Sequence, residues 1–343
     1  MNKTWQHLPG VLVVAVLAIP SVLCAQDSLA EALKKKTLSS QDRATLEAEV
    51  GQRVKRTFGG TGGVILSDAR DRLVKPTKEK DVTKEGVAAY AEILAGELET
   101  HCTSEDLNTA MAAVIVLDEL ESAPTAGALV AATKNKHSAV RYSAVRGLLN
   151  LRAKIKDDET ACRMVLAALG EAGAKEKDEH VLRRIYQAIN FKDVATDFKS
   201  MDFAAVALNS IMATRNAELA GGNHDEYRDE DAIAAAVGCY AGASDRQKAA
   251  LVGNLHAFLA HTVDHYFDPG TTTEALGTIA KLAQRFEKGL TDMMKASKVS
   301  PPGNPIADML KGSGADRQKA EKDVRAGLEE LRKTLRGDPW RLP

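Results

Sequence analysis

From Ser28 onward, apolar residues recur along this chain at intervals of three and four, the period of helices that bury one face. No segment alternates apolar and polar residues in the manner of a half-buried strand, so the pattern predicts an all-α fold. Ser40 precedes a charged helix running to about Arg56, and Thr83 is placed to cap a helix running to about Thr100. Thr103 and Asp106 have the look of a capping box ahead of eight consecutive apolar residues, Ala110 to Leu117. A helix that is apolar all round belongs at the centre of a stack. Further helices are predicted near 126–134, 139–153, 159–170, 181–189, 202–220, 231–242 and 247–267. Thr271 and Glu274 suggest a second capping box for a helix to about Ala296. A last helix near 315–336 carries the narrow stripe Val324, Leu328, Leu331 and Leu335.

Breaks in the pattern suggest four divisions: 1–25, 26–80, 81–299 and 300–343. Gly59, Gly60, Gly62 and Gly63 interrupt the second division. The string FGGTGG lacks the Lys-Ser/Thr of a phosphate loop and is not GxGxxG, so it reads as a turn. Pro76 to Asp81 reads as a charged linker, and SPPGNP from Ser300 as another.

One period exceeds the helical one. Val140, Ala144 and Leu148 are followed 41 residues later by Val181, Ile185 and Ile189, each set on the second helix of a hairpin. The string Ser138-Ala139-Val140-Arg141-Tyr142-Ser143-Ala144-Val145-Arg146-Gly147-Leu148-Leu149 resembles the second-helix consensus of HEAT repeats. Val181-Leu182-Arg183-Arg184-Ile185-Tyr186-Gln187-Ala188-Ile189 is a more divergent copy. The likeness covers residues 124 to 191, and the period is lost beyond Phe191. It implies an α-solenoid whose second helices line a surface for another protein. Arg141, Arg146, Arg183 and Arg184 are the candidate binding residues on that surface, with Arg152 on the same helix as the first two.

Composition narrows the picture. Aromatic residues are 4% of the 343 residues, which disfavours aromatic-rich sandwiches and barrels and suits helices packed through small side chains. Lys+Arg is 46 and Asp+Glu is 47, and this balance argues against a dedicated nucleic-acid binder. Lys3, the apolar run Val11 to Ile19, Pro20 and the small residues Cys24 and Ala25 follow the order of a secretory signal peptide. The expected protein is therefore exported, periplasmic or secreted, with no membrane span after cleavage. A lipoprotein anchored through Cys24 is disfavoured, because Ser21 and Leu23 occupy the positions where a lipobox has an apolar and a small residue. Cys102, Cys162 and Cys239 remain, with no CxxC spacing. They read as small buried hydrophobes, with one disulfide as the alternative.

Candidate chemistry is sparse. No GxSxG, SxxK or HExxH string occurs, and no catalytic residue is assigned. His261-Thr262-Val263-Asp264-His265 approximates an inverted zinc-protease motif, with Asp264 one methylene shorter than the usual Glu. His261 and His265 lie about 40° apart on a helix and can reach one metal. Asp264 and Asp268 share their face, opposite Leu251, Leu255, Phe258, Leu259, Val263 and Tyr266, so the pair is expected to face solvent. The acidic loop from Asn223 to Asp231 lacks the alternating oxygens and central Gly of an EF-hand. Asp229, Glu230 and Asp231 are instead expected to favour the positive end of the next helix.

These features support a non-catalytic scaffold that binds another protein and needs no cofactor. The first alternative is a zinc-dependent hydrolase using His261, His265 and Asp264. The second is a structural protein of the cell envelope with the last helix as an assembly tail.

Overall fold

A computed structural model describes residues 22–60, 63–194, 201–311 and 317–342. The signal-peptide reading falls on residues outside this range and on the first turns of the first helix, whose side chains are described only from Ser28. Among the described residues there is no strand, and the fold is all-α. No described helix is long and apolar enough to cross a membrane.

The helices are α1 (Val22–Leu33), α2 (Ser40–Phe58), α3 (Leu66–Leu73), α4 (Lys84–Cys102), α5 (Leu107–Leu120), α6 (Ala126–Ala132), α7 (Ser138–Ile155) and α8 (Glu159–Lys175). They continue with α9 (Glu179–Ile189), α10 (Met201–Ala220), α11 (Glu230–Tyr240), α12 (Asp245–Phe267), α13 (Thr273–Ala296), α14 (Ile306–Lys311) and α15 (Arg317–Arg336). A helix at α3 and a 3-10 turn at Lys75–Lys78 occupy the stretch where only a turn and a linker were expected.

Local chemistry starts these helices. Asp42 N–H donates to Ser39 Oγ at 3.2 Å and Ser39 N–H to Asp42 Oδ2 at 3.0 Å, a reciprocal capping box that opens α2. Thr83 Oγ1 accepts from Gly86 N–H at 3.0 Å, as its position predicts. Two expected boxes do not form. Asp106 itself caps α5, accepting from Thr109 N–H at 2.8 Å, while the Thr103 hydroxyl turns back onto the last turn of α4. Thr271 Oγ1 donates to His265 O at 2.6 Å, tying down the end of α12, and α13 begins after Thr272.

Alternate helices form two rows. α4, α6, α8, α10 and α12 pack successively in one row, and α3, α5, α7, α9, α11 and α13 in the other. The two apolar triplets with the 41-residue offset lie on α7 and α9, which pack directly on one another, and none of the six side chains is more than 1% exposed. The alternation continues beyond Phe191, where the sequence period is lost, because α10, α12 and α13 lengthen to 20, 23 and 24 residues. Small residues set the spacing: a Cβ on Gly170 of α8 would stand 3.0 Å from the Cα of Ala207 on α10.

The core is continuous from Leu29 to Trp340, so segments separated by linkers in the sequence share one interior. At the far end, Glu287 of α13 accepts from the N–H groups of Ile306 and Ala307 at 2.7 and 3.0 Å, fixing the start of α14. α15 then buries Val324, Leu328, Leu331 and Leu335 and lies against α12. Cys102, Cys162 and Cys239 are free thiols, each buried on a different helix.

Candidate functional site

A groove of about 490 Å³ lies between the N-terminal halves of the second-row helices α7 and α9. Its lining includes Ser138, Tyr142, His180, Arg183, Arg184 and Gln187. Asp178 caps α9 at its rim, accepting from His180 N–H at 3.0 Å and Val181 N–H at 3.2 Å. These bonds, with one from Ser138, outweigh the effect of partial burial and hold the Asp178 carboxyl below the ordinary carboxylate range.

The arginines expected to form an open basic ridge divide in two. Arg141 makes a bidentate pair with Glu176, both bonds 2.8 Å, and Glu176 is buried. Arg146 grips Asp118 of α5 at 2.7 and 2.9 Å, with Asn150 holding the other carboxylate oxygen. Arg152 closes a fork on Asp193 at 2.8 Å and is 7% exposed. Arg183 reaches Asp231 of the next unit at 3.1 Å. These side chains tie neighbouring hairpins together rather than standing free. Arg184 differs. Its guanidinium lies 5.0 Å from the Tyr142 ring centre and donates to the Tyr142 hydroxyl, and among the described residues it meets no carboxylate.

The second candidate region is the loop between α10 and α11. Of the acidic run expected to serve the α11 dipole, Glu230 and Asp231 do stand in its first turn, whereas Asp229 turns inward instead. Asp229 is fully buried and holds Arg215 Nε at 3.1 and 3.2 Å and the Tyr186 hydroxyl at 2.6 Å. Asp225 lies between Arg215 Nη2 at 2.6 Å and Arg228 Nη1 at 2.8 Å. Arg228 also donates to the carbonyls of Glu176 and Lys177, joining this network to the end of α8. Arg215, 1% exposed, further pairs with Glu218, which in turn meets Lys177. Burial pushes the Asp229 carboxyl and the Tyr186 hydroxyl upward. At Asp225, burial acts the same way but is outweighed by the two guanidinium groups, and its carboxyl sits low.

Glu226, in the middle of this loop, points the other way, toward the C-terminal turn of α12. Its Oε2 is 3.0 Å from His265 Nδ1 and its Oε1 is 3.6 Å from His224 Nδ1. The His224 and His265 rings stack with centres 4.3 Å apart and planes at 16°. Asp268 Oδ2 stands 3.5 Å from His224 Nε2.

Among the described residues, the three groups whose ligand atoms lie within 4.8 Å of one another are therefore His224, Glu226 and His265. Only His265 belongs to the set suggested by sequence spacing. Asp264 is held by Arg325 of α15 at 2.7 Å. His261 sits one turn away, half-buried, and burial keeps its pKa below the ordinary value of 6.5 against the pull of Asp264 and Glu226. The face of α12 expected to meet water is partly covered. Arg325 lies over Asp264, and Arg317 donates to the carbonyls of Tyr266 at 2.7 Å and Asp268 at 3.1 Å. Helical spacing on α12 could not reveal His224 and Glu226, which lie 41 and 39 residues before His265. The local signal was the His-x-Glu string in the loop.

No protein-family model matches this chain, and no curated protein is matched by its sequence.

Proposed function

We propose that this protein is a non-catalytic scaffold of the α-solenoid type, resembling HEAT repeats, which binds an acidic segment of another protein in the groove between α7 and α9. The observation that carries this reading is Arg184. Its guanidinium is fixed over Tyr142 at the groove and meets no carboxylate, while its neighbours Arg141, Arg146 and Arg183 are matched within the chain. A planar guanidinium held in place loses little freedom on receiving a carboxylate from outside. Ser138, His180 and Gln187 offer further polar groups along the same groove.

Export belongs to the same proposal and rests on the apolar run near the N-terminus. The thiols suit an oxidising compartment: burial pushes Cys102 and Cys239 up to about 12 and Cys162 up to about 11, which suppresses the reactive thiolate.

Photo-crosslinking tests the groove. A photoreactive side chain placed at exposed Ala139, at the groove, should yield a discrete adduct in intact cells. The same group at exposed Val206 on α10 should not. Arg184→Glu should remove the adduct. Equal adducts from both positions, or an adduct indifferent to Arg184→Glu, would overturn the proposal.

A further inference from the structure

The acidic loop between α10 and α11 neutralises its charges unevenly. Asp225 and Asp229 share the Arg215 guanidinium, and Asp231 has Arg183. Glu226 has neither Arg nor Lys. Its side chain is 3% exposed, and its charged-group contacts among the described residues are the imidazoles of His224 and His265. A carboxylate shut away from water is stabilised by a cation held against it, and a metal ion shared with the two imidazoles would supply one. The nearby guanidinium groups of Arg215 and Arg228 are already engaged with Asp225, Asp229 and Glu218.

We propose that His224, Glu226 and His265 form a binding site for one divalent transition-metal ion, zinc foremost, which clamps the α10–α11 loop to the end of α12. Two imidazole nitrogens and one carboxylate oxygen are a zinc donor set, with the fourth position left to water. Ligands of a tetrahedral zinc stand about 3.3 Å apart, given bonds of about 2.05 Å. His265 Nδ1 stands 3.0 Å from Glu226 Oε2, close to that spacing, His224 Nδ1 lies 3.6 Å from the other oxygen, Oε1, and one ligand atom from each of the three groups falls within 4.8 Å of the others. His224 is exposed in the loop, so its ring can turn to close the set, and its side gives solvent access to the fourth position. Both histidines present Nδ1 to Glu226. With His224 bound through Nδ1, its Nε2–H faces Asp268 Oδ2 at 3.5 Å, the arrangement in which an outer carboxylate orients a metal-bound imidazole. Arg317 and Thr271 hold the backbone around His265 and Asp268, so the α12 half of the site is anchored independently of the loop.

The test uses untagged full-length protein stripped with chelator and then dialysed. Calorimetric titration with zinc should give one site per chain, and zinc should raise the melting temperature. Cobalt should give the strong visible bands of a four-coordinate ion. Glu226→Gln and His224→Ala should each abolish the site, the latter at an exposed position where folding is not at risk. Asp268→Ala should weaken binding about tenfold or more. His261→Ala should leave the stoichiometry and affinity unchanged. Absence of a stoichiometric site, or zinc binding that survives His224→Ala and Glu226→Gln, would overturn the proposal. Loss of binding in His261→Ala alone would assign the metal to a different set and overturn it equally.

Discussion

Arg215 shows how side chains divide the work in this protein. It is a buried guanidinium serving Asp225, Asp229 and Glu218, and Asp229 takes a further bond from Tyr186. Removing one member of such a cluster strands the charge it neutralised, and the stranded charge accounts for most of the loss. Arg215→Met should therefore lower stability by about 3–5 kcal/mol in urea unfolding. Adding Asp229→Asn should recover part of that loss, whereas purely additive losses would show that the pair is not coupled. None of this was legible at the level of single residues. Arg215 and Asp229 are 14 positions apart, and Glu176 and Arg228 are 52 apart. Local rules therefore assigned Asp229 to the α11 dipole. The caps were more readable: Thr83–Gly86 spans three residues and caps α4 as expected, while the α2 cap falls at Ser39, one residue before the expected Ser40. The box expected of Thr103 and Asp106 fails because Asp106 alone caps α5 while the Thr103 hydroxyl bonds back to α4, a choice that spacing does not reveal.

Among the elements, α8 and α10 approach so closely that a Cβ on Gly170 would stand 3.0 Å from the backbone of the neighbouring helix. Gly170→Ala improves helix propensity, by up to about 1 kcal/mol, yet forces the helices apart. Overpacking of this kind costs about 1–3 kcal/mol, so the variant should melt below the parent by circular dichroism. A higher melting temperature would mean that the α8–α10 contact yields without cost. Helix positions were readable because buried faces such as Val181, Ile185 and Ile189 repeat with the helical period. The covering of α12 by α15 was not, since the two meet through Arg325–Asp264, a contact across 61 residues that leaves no periodic trace. For the same reason His261 and Asp264 looked like an open metal face, while the converging groups came from a loop about 40 residues upstream.

On the scale of the whole molecule, successive hairpins are joined by charge as well as by apolar contact: Arg146–Asp118, Arg141–Glu176, Arg152–Asp193 and Arg183–Asp231 each span from 28 to 48 residues. Each such pair couples the helices on either side of it in addition to their apolar contact. The far end is sealed by Trp340, 4% exposed, whose Nε1–H donates to Tyr240 Oη at 2.6 Å. Tyr240 Oη also lies 2.6 Å from Ser297 Oγ. In a Trp5→Phe background, Trp340 should fluoresce at short wavelength in the native protein, and its red shift should accompany helix loss during denaturation. A red-shifted native spectrum would mean that this seal does not form. The same contact bears on the order of synthesis. Each hairpin before α11 finds its preceding neighbour already made, but Tyr240 waits 100 residues for its indole. Until Trp340 has been made, Tyr240 on α11 and Ser297 after α13 have no indole over them, so a chain cut short before Trp340 leaves their hydroxyl pair open to water.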